Sequence, residues 1–212
     1  MSDRMCQVLQ DMLRLTSRLD FMLKNDRWIR NTPGLITPIQ PELERYNGVY
    51  PVLSYGCSSY GYDLRLSYSE FKIFRHVPGK VMDPKSFNPA NLENVPLESR
   101  PEGAYFVLPA HSYGLGVAHE RLRMPPNVTA ICVGKSTYAR MGIIVNVTPA
   151  EAGWEGHLTL EFSNSSGADC RIYANEGVCQ LLFLEGDPCD TTYADRKGKY
   201  QNQAERVTLP VV

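Results

Sequence analysis

From Pro33 onward the apolar residues fall into short runs, bounded by Pro and Gly or alternating with polar positions. Runs of this length and texture read as strands. They predict strands at Tyr105–Leu108, Val128–Val133, Ile143–Val147, His157–Ser163 and Val178–Leu184. The alternation is cleanest in His157–Ser163. There Leu158, Leu160 and Phe162 point one way, and His157, Thr159, Glu161 and Ser163 the other. Many short strands with turn signals predict a mainly β fold, as a sandwich, jelly roll or barrel.

The N-terminal stretch has a different period. Met5, Val8, Leu9, Met12, Leu13, Leu15, Leu19 and Met22 recur at helical spacing, with no Gly or Pro between them. They predict a peripheral or partner-binding helix over 3–24. Met22-Leu23-Lys24 is also an alternative start, which would make the preceding helix an extension. The section from Val81 to Gly103 is rich in Pro, Asn and Glu and predicts a long surface loop. From Thr191 the chain turns polar and predicts a mobile tail. The expected organisation is a helical extension over 1–23 and one β domain over 24–212, its last part, 191–212, being the tail.

Composition narrows the function classes. With 212 residues, 43% hydrophobic and 21% charged, the chain has the balance of an ordinary globular domain. A net charge of −1 gives no global field for nucleic acid or anionic membranes, so any polyanion must be held by a local cluster. No apolar run has membrane-spanning length, and the first residues lack the apolar core of a signal peptide. A cytoplasmic protein is expected. Six irregularly spaced cysteines without a C-x-x-C pair read as free and mostly buried thiols.

Three segments carry candidate chemistry. Gly134-Lys135-Ser136-Thr137 looks like the end of a P-loop, but the glycine required five residues earlier is Thr129, so that reading fails. What remains is a strand running into a cationic, hydroxyl-rich turn. If Ser136 to Arg140 forms a helical turn, Ser136 and Arg140 share a face and the turn can hold an anion; otherwise it is a solvated turn. Glu161 stands centrally in the alternating strand. It is either a shielded carboxylate fit for general acid–base work or a solvent-facing residue of an amphipathic strand. Tyr193, Lys199 and Gln203 put a ring, a cation and an amide on the tail, which is either a lid over phosphates or a frayed end. The four histidines form no H-x-E motif, and P-C-x-x-C and H-E-x-x-H are absent, so no catalytic zinc is expected. No G-x-S-x-G elbow is present either.

The stretch from Gly134 through Ala139-Arg140-Met141-Gly142 to Pro149 resembles the signature of dCTP deaminases. So do Gly153-Trp154-Glu155-Gly156 through Asn164, and Tyr193-Ala194-Asp195-Arg196 with Gly198-Lys199-Tyr200-Gln201-Asn202-Gln203. Asp26-Arg27-Trp28-Ile29-Arg30 and the block from Ser54 to Arg65 resemble further blocks of that family. The resemblance covers about residues 24 to 212 and omits the N-terminal helix. It implies a distorted β-barrel or jelly roll of the trimeric dUTPase-like type, with short helices and with active sites between the subunits of a homotrimer. It implies zinc-independent hydrolysis of dCTP to dUTP and ammonia, which supplies dUTP for dTMP synthesis. Mg²⁺ would accompany the triphosphate, and dTTP is implied as a feedback inhibitor. Glu161 would be the catalytic carboxylate, with Arg140 and Ser136 orienting water and stabilising charge. Substrate-binding positions would be Lys135, Ser136, Thr137, Tyr138, Ala139, Arg140, Thr159, Leu160, Gln180, Tyr193, Lys199 and Gln203. The alternative within the superfamily is a dUTPase or a bifunctional deaminase and pyrophosphatase. There the position three before Trp154, here Glu151, would activate water. A non-catalytic nucleotide sensor on the same barrel is the rival from another class.

Overall fold

The computed structural model describes residues 22–211 apart from His76 and Lys80. The predicted helix over 3–24 lies almost wholly outside the described residues. Its last positions are extended rather than helical: Leu23 pairs with Leu184, and Lys24 N–H donates to the Phe183 carbonyl.

The first helix, α1 (Asp26–Asn31), is capped by Asn25, whose side chain accepts from Trp28 N–H at 3.0 Å. It buries Ile29 and lays Trp28 against Phe183. Thirteen strands follow. They are β1 (Ile36–Thr37), β2 (Glu44–Asn47), β3 (Tyr50–Ser58), β4 (Gly61–Phe74), β5 (Leu92–Asn94), β6 (Glu98–Arg100), β7 (Gly103–Leu108), β8 (Tyr113–Arg123), β9 (Val128–Gly134), β10 (Ile143–Asn146), β11 (Glu155–Asn164), β12 (Cys170–Tyr173) and β13 (Gly177–Glu185). One helical turn, α2 (Ser136–Ala139), joins β9 to β10.

Ten strands form a curled sheet with the central order β10-β11-β8-β4-β13-β9. Strands β1, β2, β3 and β5 attach to its flanks, and β12-β7-β6 form a second, smaller sheet. The curl brings the two ends of the large sheet together. A Cβ built on Gly134 of β9 would lie 3.4 Å from the Val145 backbone nitrogen of β10. Inside, Phe71 stacks on Phe106 and tilts against Phe162, each at 5.3 Å between ring centroids. That packing requires a bare backbone on β8: a Cβ at Gly116 would fall 2.6 Å from a Leu66 methyl carbon. The expected mainly β, barrel-like architecture with short helices is what the chain adopts. All five predicted strands are present, within two residues at each end.

Two expectations are corrected. The segment 81–103 is not a bare loop. A short helical turn at Pro89–Asn91 leads into β5, which pairs with β4, and β6 pairs with β7. Nor is the tail a loose end. Tyr193 N–H donates to the Ala152 carbonyl, Asn202 N–H to Glu155, and Val207 N–H to the Glu70 carboxylate. Val207 is buried. The tail is polar because its backbone and side chains bond to the barrel, not because it stays in water. Cys57, Cys132, Cys170 and Cys179 are free and buried, Cys189 is free and exposed, and Cys6 lies outside the described residues. Among the described residues no helix is long and apolar enough to cross a membrane.

Candidate active site

Strand β11 is buried at every second residue from Gly156 to Asn164, so Thr159 and Glu161 fall on the face that opens outward. That face forms the floor of a cleft of about 490 Å³. Glu151 and Trp154, from the connection between β10 and β11, form one wall, and the tail forms the other with Tyr193, Lys199, Tyr200 and Gln203. Five of the predicted residues therefore meet in one place: Thr159, Glu161, Tyr193, Lys199 and Gln203.

The tail is fastened along this cleft. Trp154 Nε1 donates to the Tyr200 carbonyl at 2.8 Å. His157 N–H donates to the Gln203 carbonyl at 3.0 Å, and the Thr159 hydroxyl donates to Gln203 Oε1 at 3.2 Å. Thr208 N–H in turn donates to Thr159 Oγ1 at 3.1 Å. Beyond the cleft, Glu205 Oε1 accepts from Ser67 Oγ at 2.7 Å and lies 3.0 Å from His119 Nδ1. Burial works against the Glu205 charge, but Ser67 and His119 outweigh it and hold the carboxyl below its ordinary range. Gly198 is a packing residue. A Cβ there would lie 2.1 Å from the Tyr193 ring, which leaves room for hydrogen alone.

The sheet leaves a gap beside Glu161. Strand β10 ends at Asn146, directly opposite Glu161, and Asn146 Nδ2 donates to Glu161 Oε2 at 3.2 Å. On the same side of β11 the backbone of the tail bonds to that of Glu155 and His157. Between these two attachments β11 is paired with β8 on one side, and no strand lies on its other side among the described residues. Leu160, one of the predicted binding positions, is fully buried and does not line the cleft.

The remaining predicted residues lie elsewhere on the chain. Lys135 Nζ donates to Asp63 Oδ2 at 2.5 Å and to Ser54 Oγ at 3.0 Å. Gln180 Nε2 donates to the other oxygen of Asp63 at 2.9 Å and to Ser58 Oγ at 3.0 Å. Lys135 is thus a paired cation, and buried Asp63 is the anchor it shares with Gln180. On α2, Ser136 and Arg140 do share a face, and Arg140 Nη1 donates to the Ser136 carbonyl at 3.2 Å. Tyr138 is a core residue whose hydroxyl accepts from Tyr173 N–H at 2.9 Å. Burial raises its phenol far above the usual range. Thr137 and Tyr138 border a second cavity, of about 860 Å³, with Leu53, Val107, Met141 and Glu176. The Glu176 carboxylate accepts from Leu53 N–H at 2.7 Å, and burial pushes its pKa up.

Sequence reasoning missed Asp63, Asn146 and Tyr113 as site residues. Tyr113 stands on β8 opposite Ser163, next but one to Leu115, which is opposite Glu161. Its phenol is pushed up first by burial and then by the Glu161 carboxylate beside it. None of the three had a signal in residue type alone. Only the strand register places them. Among the described residues no group of three or more His, Cys, Asp or Glu side chains is placed to hold a metal ion.

A family model described as dCTP deaminase-like matches residues 40–186. A dCTP deaminase of Aromatoleum aromaticum is 48% identical over 194 residues, covering 90% of this chain and 99% of the relative. One from Campylobacter curvus is 51% identical over 189 residues, covering 89% and 97%. Among solved structures, the 2'-deoxycytidine 5'-triphosphate deaminase of Agrobacterium tumefaciens superposes with a TM-score of 0.50 at 17% identity. That match covers 77% of this chain and 48% of that one, and it shows a shared fold.

Proposed function

The chain belongs to the dCTP deaminase-like family, and from that membership we propose that it hydrolyses the 4-amino group of dCTP, giving dUTP and ammonia. The observation that carries this reading is Glu161, a carboxylate on the cleft floor beside a stretch of strand backbone with open hydrogen-bonding positions. A pyrimidine ring laid against Leu158 and Thr159 would find donors and acceptors there, with C4 turned toward Glu161.

Glu161 takes a proton from the attacking water while the water oxygen bonds to C4, and it passes that proton to N3. It then moves the second proton from the new hydroxyl to the amine. The C4–N bond breaks, ammonia leaves and a carbonyl remains at C4. The two hydrogens of water end on N3 and on ammonia. Arg140 and Ser136 stabilise the charge that develops at C4. Tyr193 lies beside the deoxyribose, and Lys199 and Gln203 reach the phosphates. Lys199 makes no ion pair among the described residues. Mg²⁺ fits as a metal carried by the triphosphate, where it would offset phosphate charge, rather than one ligated by the chain.

Arg140 and Ser136 do not line the cleft that holds Glu161. The reading therefore requires a homotrimer in which α2 of one subunit completes the site of the next. The surface favours this: Ile131 and Val133 on edge strand β9, Met141 after α2, and Ile144 on β10 are all exposed. Light scattering should return three chains per particle, and a stable, fully active monomer would refute the shared site.

Metal dependence is a second test. Activity should survive a zinc-selective chelator and fall when Mg²⁺ is withdrawn. Tightly bound stoichiometric zinc, with activity lost on its removal, would contradict the mechanism. A second reading, pyrophosphate release from dUTP, has one observation behind it: Glu151 lines the same cleft as Glu161. Its carboxylate, however, is paired with Arg196 of the tail. Incubation with dCTP and with dUTP, assayed for both ammonia and pyrophosphate, separates the readings. The deaminase releases ammonia from dCTP and no pyrophosphate from either nucleotide.

A further inference from the structure

Glu161 is flanked by two neutral side chains from the strands on either side of it. Asn146, at the end of β10, is its direct cross-strand partner and donates its amide N–H to Oε2 at 3.2 Å. Tyr113 stands diagonally across from it on β8. The Tyr113 ring is itself fixed, edge-on against Phe74 at 5.6 Å. Leu115, opposite Glu161 on β8, is buried and excludes water from that side.

An unrestrained glutamate has three torsions and spreads its carboxylate over several rotamers. A general base must instead present one oxygen to water along a defined line. A donor on Oε2 leaves Oε1 as the oxygen turned to the cleft. We infer that Asn146 and Tyr113 are positioning residues that lock the Glu161 carboxylate with Oε1 presented to the attacking water. The assignment rests on the reading of Glu161 as the base. Asn146 touches the carboxylate, Tyr113 stands diagonally across from it, and neither need touch the nucleotide. The other titratable groups facing it are those lining the cleft: Glu151 from the β10–β11 connection, and Tyr193, Lys199 and Tyr200 from the tail.

Asn146 is exposed, so substitutions there leave the core intact. With purified trimer, Asn146→Ala should lower kcat by about 10- to 100-fold, the loss of one hydrogen bond to a charged group, while KM for dCTP changes by less than about threefold. Asn146→Asp sets a second carboxylate against Glu161. Like charge disfavours ionisation of both, so the acid limb of the kcat–pH profile should move to higher pH. Tyr113→Phe keeps the ring and removes the donor, and should lower kcat with KM unchanged. The inference is overturned if Asn146→Ala and Tyr113→Phe keep wild-type kcat, or if the acid limb of Asn146→Asp overlays that of the wild type. Glu161→Gln, measured alongside, separates the two levels. If it is inactive while the Asn146 and Tyr113 variants are normal, the base stands and the positioning role falls. If it is active, the base itself is wrong.

Discussion

Glu161→Gln is expected to lose at least about 10²-fold in deamination while binding dCTP nearly as well as the wild type. Gln has the size and shape of Glu but cannot accept a proton from water. The substitution should also be benign to the fold, because Glu161 is only partly buried and the Asn146 amide that donates to it still finds a carbonyl oxygen. The measurement is steady-state ammonia release beside equilibrium binding of dCTP. Turnover within a few-fold of the wild type would remove Glu161 from the chemistry. Loss of binding together with turnover would mean that the residue holds the ring rather than moving protons.

Removing the tail should have the second-largest effect. A chain that ends before Thr191 loses Tyr193, Lys199 and Gln203 from the cleft. Its affinity for dCTP should fall by at least about tenfold, the scale of one lost contact to a charged group. Deoxycytidine, which lacks the phosphates, should be affected far less. The tail's bonds to the barrel add a stability cost. Truncation uncovers Trp154 and discards buried Val207, and Tm should fall by about 5–10 °C. Acid should loosen the same attachment. Because the folded-state pKa of Glu205 is depressed, its contribution is present above the ordinary carboxylate range and is lost as pH falls through the depressed value. A truncated protein with unchanged affinity, rate and Tm would make the tail a bystander.

How far the sequence could be read depended on how regular each strand is. Strands β9, β11 and β13 were legible because one face is apolar and the pattern repeats at period two. The two long central strands, β4 and β8, were not. Strand β4 places Asp63 and Ser67 in the interior, and β8 does the same with Glu120. Buried Glu120 is satisfied by Arg65, whose Nε donates to it at 2.7 Å and whose backbone N–H donates at 2.9 Å. Paired charges inside a sheet erase the alternation that marks a strand, and the glycines needed to clear Phe71 and Leu66 erase it further.

The site shows the same division. Glu161 was visible as a carboxylate in an apolar strand. Tyr193, Lys199 and Gln203 were visible as chemistry on a polar segment. Their convergence on one cleft was not visible, because it depends on the tail bonding to β11 and Trp154. Asn146 and Tyr113 are unremarkable in the sequence and become informative only through the register of β10 and β8 against β11. The pairing of Lys135 was hidden in the same way. Its partner Asp63 lies far away in sequence and next to it in space.

The central claim is that water attacks C4 of the base and not a phosphorus of the triphosphate. The most direct measurement is the reaction of dCTP with the purified protein and Mg²⁺ in water enriched in oxygen-18, followed by mass spectrometry of the products. The account predicts intact dUTP with one heavy oxygen on the uracil ring and none in the phosphates. Heavy oxygen in a released monophosphate or pyrophosphate, with an unlabelled base, would contradict it.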